Sequence, residues 1–132
     1  MAEEAARTTR NTLVIPRKLA VRLLHEAQLS PDAPVEGLVG ARKGEACSCY
    51  PLSGAVTRAE LLQKVQANSE TPWAWYRSNP QQPPAPADTD KFVAADRAFS
   101  LIISLDTKGV LEMRCWDWSS GQPVEREITV KD

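Results

Sequence analysis

The last third of the chain limits the fold most. Three apolar segments, residues 99–105, 110–118 and 123–130, are separated only by Asp106-Thr107-Lys108-Gly109 and Ser119-Ser120-Gly121-Gln122. Connections this short join antiparallel neighbours, because a parallel crossover needs a dozen or more residues. In the middle segment Leu111, Met113 and Cys115 alternate with Glu112, Arg114 and Trp116. That period of two belongs to a strand with one buried face. A sheet built this way needs helices from elsewhere in the chain to cover it.

The first two-thirds supplies them. Thr12-Leu13-Val14-Ile15 is β-branched-rich, and Pro16 then opens a helix where its missing N–H does no harm. Leu19, Leu23, Leu24 and Ala27 give that helix an apolar stripe, and Ser30-Pro31-Asp32-Ala33-Pro34 ends it. Residues 35–40 and 46–52 read as strands about a turn at Arg42-Lys43-Gly44. Thr57-Arg58-Ala59-Glu60 is a capping box for a second helix that buries Leu61, Leu62 and Val65. An aromatic strand, Pro72-Trp73-Ala74-Trp75-Tyr76, runs to Asn79-Pro80, and the proline-rich residues 81–87 form an extended loop. Asp88 or Thr89 caps a third, short helix carrying Phe92, Val93 and Ala95. The expected class is α+β: one domain over residues 11–132, a mostly antiparallel sheet flanked by about three helices, after a frayed tail at 1–10.

Size and charge narrow the function. A chain of 132 residues makes one domain with a real core. Its 16 basic and 17 acidic residues nearly cancel, against a general nucleic-acid binder. No apolar run approaches the roughly 20 residues of a membrane span, and Glu3 and Glu4 stand where a signal peptide is basic, then apolar. Three cysteines do not make a disulfide framework. A cytoplasmic chain is expected.

The informative stretch is Trp75-Tyr76-Arg77-Ser78-Asn79-Pro80, followed by Ala85-Pro86-Ala87-Asp88-Thr89-Asp90. It resembles the signature of the JAB/MPN (JAMM, Mov34/MPN/PAD-1-like) metalloproteases, in which a strand ends in H-S/T-H-P and P-S-x-x-D follows. Ser78, Pro80, Pro86 and Asp90 stand where that pattern wants them, Asp90 eleven residues after Asn79. Gly37-Leu38-Val39-Gly40 is similar to the family's G-L-L-x-G strand, and the element order agrees from about Thr12 to Val130. The resemblance implies zinc at the two histidine positions and the aspartate.

Here those histidine positions hold Arg77 and Asn79. They share a strand face, as two ligands must, but a guanidinium offers no lone pair and an amide is a poor zinc ligand beside an imidazole. The whole chain has one histidine, His25, so a two-histidine site cannot be built from it. Ala87 replaces the family's serine, and Pro34, or Ala33 with a one-residue slip, replaces the general-base glutamate; Glu36 is out of register. No catalytic residue, metal or cofactor is therefore assigned. Arg77 either pairs with Asp90 in place of the metal or points to solvent, leaving Asp90 in the first turn of a helix.

Three further features each have two readings. Cys47 and Cys49 on one strand face could hold a metal with Cys115 and a fourth ligand, or pack in the core, the better reading. Trp73 with Trp75, and Trp116 with Trp118, form two W-x-W pairs, each on one face. They serve either the core or a partner platform, in which Trp75, Tyr76, Trp116 and Trp118 are the candidates. His25 meets helix-end carbonyls or water. The expected function is that of a catalytically inactive JAB/MPN-like module binding a protein or peptide, linked by the resemblance to ubiquitin-like or sulfur-carrier systems. A groove beside residues 75–79 and the proline-rich loop would take a peptide as an added strand. The alternatives are an atypical JAMM peptidase or isopeptidase using Cys49 or Asp90, and an unrelated stand-alone binding module.

Overall fold

A computed structural model describes residues 12–29, 32–79, 87–104 and 112–131. The first strand, β1 (Thr12–Pro16), runs directly into helix α1 (Arg17–Gln28), with the fixed φ of Pro16 at the N-cap. Helix α1 buries Leu19, Ala20, Leu23 and Ala27, the expected stripe with Ala20 added and Leu24 half-buried. Strands β2 (Glu36–Arg42) and β3 (Glu45–Leu52) form the expected hairpin. Lys43 and Gly44 turn it with φ of 55° and 81°, the positive values that a two-residue turn between twisted strands requires. Helix α2 (Arg58–Ala67) starts at Thr57, whose hydroxyl accepts from the Glu60 N–H at 3.2 Å.

Strand β4 (Thr71–Asn79) leads, beyond residues 80–86, to a 3-10 helix (Asp88–Asp96) and then to β5 (Phe99–Ser104), β6 (Glu112–Asp117) and β7 (Val124–Lys131). The sheet order is β1-β7-β6-β5-β4-β2-β3. Pairs β1–β7 and β4–β5 are parallel and the others antiparallel, so the α+β expectation holds. The helix count is two α-helices rather than three. The third expected helix is wound as a 3-10 helix, and neither Asp88 nor Thr89 caps it. Ala87 takes the N-cap, and the Asp90 carboxylate accepts the Ala87 N–H at 2.7 Å.

Both faces of the central strands are buried. On one side α1 covers Ile15, Val39, Ala74, Tyr76, Leu101, Ile103 and Cys115; on the other, Leu61 and Val65 of α2 and Val93 of the 3-10 helix cover Leu38, Trp75 and Trp118. Two bulges shift this alternation. Val39 pairs with Ala74 and Gly40 with Pro72, leaving Trp73 as an extra residue in β4. Trp73 then packs with Ala74 beneath α1 while Trp75 faces α2, so the expectation that these two tryptophans share a face is corrected. The second bulge is at Cys47, between Ala46, opposite Ala41, and Ser48, opposite Gly40.

At the far end of β2 the buried Glu70 carboxylate accepts from Tyr50 at 2.7 Å and Ser48 at 2.8 Å, and pairs with Arg42 at 3.4 Å. Gly40 is required there: a Cβ would overlap the Glu70 carboxylate. Gly37 is required at the other end, where a Cβ would overlap the Tyr76 ring. Among the described residues no helix is long and apolar enough to cross a membrane.

Candidate functional site

Strand alternation sends Arg77 and Asn79 to the face covered by the 3-10 helix and Ser78 to the other. Ser78 is fully buried; its hydroxyl accepts the Val35 N–H at 2.9 Å, and its own N–H donates to the Val35 carbonyl at 2.9 Å. The motif serine thus ties the residues before β2 to the end of β4. Ser78→Ala would leave the Val35 N–H without its acceptor and is expected to cost about 1–3 kcal/mol in urea unfolding.

Arg77 reaches across to the 3-10 helix. Its Nε donates to Asp90 Oδ1 at 2.6 Å and its Nη2 to Asp90 Oδ2 at 2.7 Å, a two-pronged ion pair. The side chains are 18% and 6% exposed, so the pair is shielded from water. Nη1 donates to the Asn79 side-chain oxygen, and the Ala87 N–H donates to the same Asp90 carboxylate. The paired alternative is the one observed. Asp90 also occupies the first turn of its helix, so that part of the competing reading holds too.

The crevice over this pair is lined by Glu36, Arg58, Trp75, Arg77, Asp90 and Phe92 and measures about 10 Å³. That is close to the smallest space that admits one water. Glu36 lies opposite Arg77 across the strand pair, but its carboxylate turns outward to Arg58 at 3.5 Å. The Arg58 guanidinium lies 4.1 Å above the Phe92 ring, a cation–π contact that roofs the crevice. Trp75 Nε1 donates to Asp96 at 2.9 Å, fixing the other end of the 3-10 helix. Arg58, Phe92 and Asp96 were not picked out by motif. The signal for Asp96 is that a buried indole N–H needs an acceptor.

Zinc does not fit these residues. Both Asp90 oxygens are engaged by a cation that cannot act as a ligand, Asn79 is drawn onto Arg77, and His25 is exposed on α1. Pro34, where the base would stand, is exposed. Pro80 and Pro86 lie outside the described residues.

The proposed partner surface is corrected. Trp75, Tyr76 and Trp118 are 5%, 2% and 4% exposed and belong to the core, the first two because both faces of β4 are covered and Trp118 because it packs in the cluster beneath α2 and the 3-10 helix; of the four, Trp116 is half-buried. Strand β4 is hydrogen-bonded to β2 and β5 on its two sides, so a peptide cannot add beside it as a strand. The cysteines are corrected in part. Cys115 is buried and Cys49 packs against the core, whereas Cys47 is exposed. Among the described residues no three metal-ligating side chains gather.

No family model matches the chain, and no curated protein matches it. Solved structures do. Protein DSY2949 from Desulfitobacterium hafniense superposes with a TM-score of 0.74 at 23% identity, over 91% of this chain and 93% of that one. AF2198, a JAB1/MPN domain protein from Archaeoglobus fulgidus, gives 0.62 at 15% identity, over 89% and 99%. A structure described as JAMM, a metalloprotease-like zinc site in the proteasome and signalosome, gives 0.60 at 15%, over 89% and 98%. The fold is that of a JAB1/MPN domain. On this JAB1/MPN fold the strand ending at Asn79 and the helix holding Asp90 stand in the order the motif implied, which removes the reading of a fold-level coincidence.

Proposed function

We propose that this chain is a metal-free JAB/MPN-fold protein in which the Arg77–Asp90 ion pair stands where active relatives hold zinc. It acts in the cytoplasm by contact with a protein or peptide, in a ubiquitin-like or sulfur-carrier system, and not by hydrolysis. The observation that carries this reading is the two-pronged, shielded pair, which engages the one carboxylate left from the metal motif with a side chain that has no lone pair.

The test combines zinc analysis of protein grown with added zinc, an isopeptidase assay on ubiquitin-like conjugates, and capture of partners by the tagged chain. The expected results are no chelator-sensitive cleavage and retention of a ubiquitin-like or sulfur-carrier component. Chelator-sensitive cleavage at stoichiometric zinc would overturn the reading. The competing hydrolase using Cys49 or Asp90 lacks an activated group: burial pushes the Cys49 thiol up, and Asp90 is fully engaged.

A further inference from the structure

Three of the five exposed large apolar side chains among the described residues, Val14, Val21 and Val130, gather at one corner, where β1 turns into α1 beside the end of β7. Pro16, Arg17, Lys18, Val21 and Lys131 line a concave space of about 600 Å³ there, the size of a ligand cleft. Its walls are almost wholly apolar, so Arg17, Lys18 and Lys131 contribute their stems and keep their charged heads in water at the rim. Val14 lies in the adjoining hollow, which shares Pro16 and Lys131. Among the described residues no carboxylate lines the groove; Glu45 stands in the hollow beyond. Helix α1 adds to the positive field. Pro16 gives it no side-chain cap and its first turn holds no acidic residue, so nothing within the helix offsets the N-terminal end of its dipole. The chain has 16 basic and 17 acidic residues, so this local concentration of cations does not follow from composition.

We propose that this corner docks an acidic peptide of a partner protein, with an apolar side chain entering the groove and flanking carboxylates meeting Arg17, Lys18 and Lys131. The apolar floor supplies affinity, and the cationic rim selects the sign of the partner and speeds encounter. This surface goes beyond the reading above. It is separate from Arg77 and Asp90, which meet on the sheet face covered by the 3-10 helix, and it stands or falls without reference to zinc or to a ubiquitin-like conjugate. A second copy is the poorer occupant, because a twofold contact would set the same cations against one another. So is an anionic membrane: it presents a flat surface, whereas Val21 lines a recess, and the corner offers valines in place of the Trp, Phe and Leu of interfacial helices.

The experiment is a fluorescence-anisotropy titration of the full chain against two fluorescein-labelled decapeptides, one of glutamates around two central leucines, the other with lysine in place of every glutamate. The glutamate peptide is expected to bind at least about tenfold more tightly, roughly 1.4 kcal/mol, and to weaken as salt rises from about 0.05 to 0.3 M. Lys18→Glu and Val21→Glu are each expected to weaken it by about fivefold or more. Both positions are exposed, and a glutamate in the first turn favours the helix, so lost binding is not lost fold, which circular dichroism checks. Equal affinity for the two peptides, no measurable binding of either, or an affinity unchanged in either variant would overturn the proposal. Sedimentation with phosphatidylserine vesicles is expected to leave the chain in the supernatant; vesicle binding that Val21→Glu abolishes would assign the corner to a membrane and overturn it too.

Discussion

Arg77→Ala is expected to lower stability by about 3–5 kcal/mol, the cost of leaving a buried charge without its partner. Asp90 would keep the Ala87 N–H but lose both guanidinium bonds, at a carboxylate only 6% exposed. Urea unfolding monitored by tryptophan fluorescence reads the loss. A control separates the pair from general disruption. Arg77→Met with Asp90→Leu removes both charges and is expected to recover much of the stability, since an apolar replacement of a shielded ion pair is often neutral. If Arg77→Ala cost less than about 1 kcal/mol, the range of a surface pair, the shielded character of the site would be wrong.

The second large effect is a gain. Arg77→His with Asn79→His places two imidazoles on the face that already carries Asp90, the set the family resemblance implies. The double variant is expected to bind about one zinc per chain, tetrahedral with a water or other fourth ligand. At zinc a hundredfold above the dissociation constant the folded state gains about 2.7 kcal/mol, removed by chelator. Zinc content unchanged from the parent would show that positions 77 and 79 are not aligned with Asp90 as ligands.

The sequence carried much of this. Pro16 before the first apolar stripe, turn chemistry at Lys43-Gly44, the capping box at Thr57 and the short loops of the last third placed most strands and both α-helices, because those signals act within a few residues. The pairing of Arg77 with Asp90 was legible as one of two alternatives, since a charge replacing a metal beside a carboxylate has few other partners. Bulges were not legible. An extra residue in a strand depends on the register of a neighbour, and so Trp73 was assigned to the wrong face and the exposure of Cys47 was missed. The 3-10 winding at 88–96 escaped for a similar reason. It is held by Arg77 and Trp75 on another strand, not by its own cap.

The clamp between Arg77 and Asp90 also bears on how this chain can vary. It acts as a non-covalent cross-link between the end of β4 and the start of the 3-10 helix, and Asn79 and Ala87 are each hydrogen-bonded to it. A substitution that loosens the clamp therefore loosens both elements at once, so positions 77, 79, 87 and 90 are constrained to vary together.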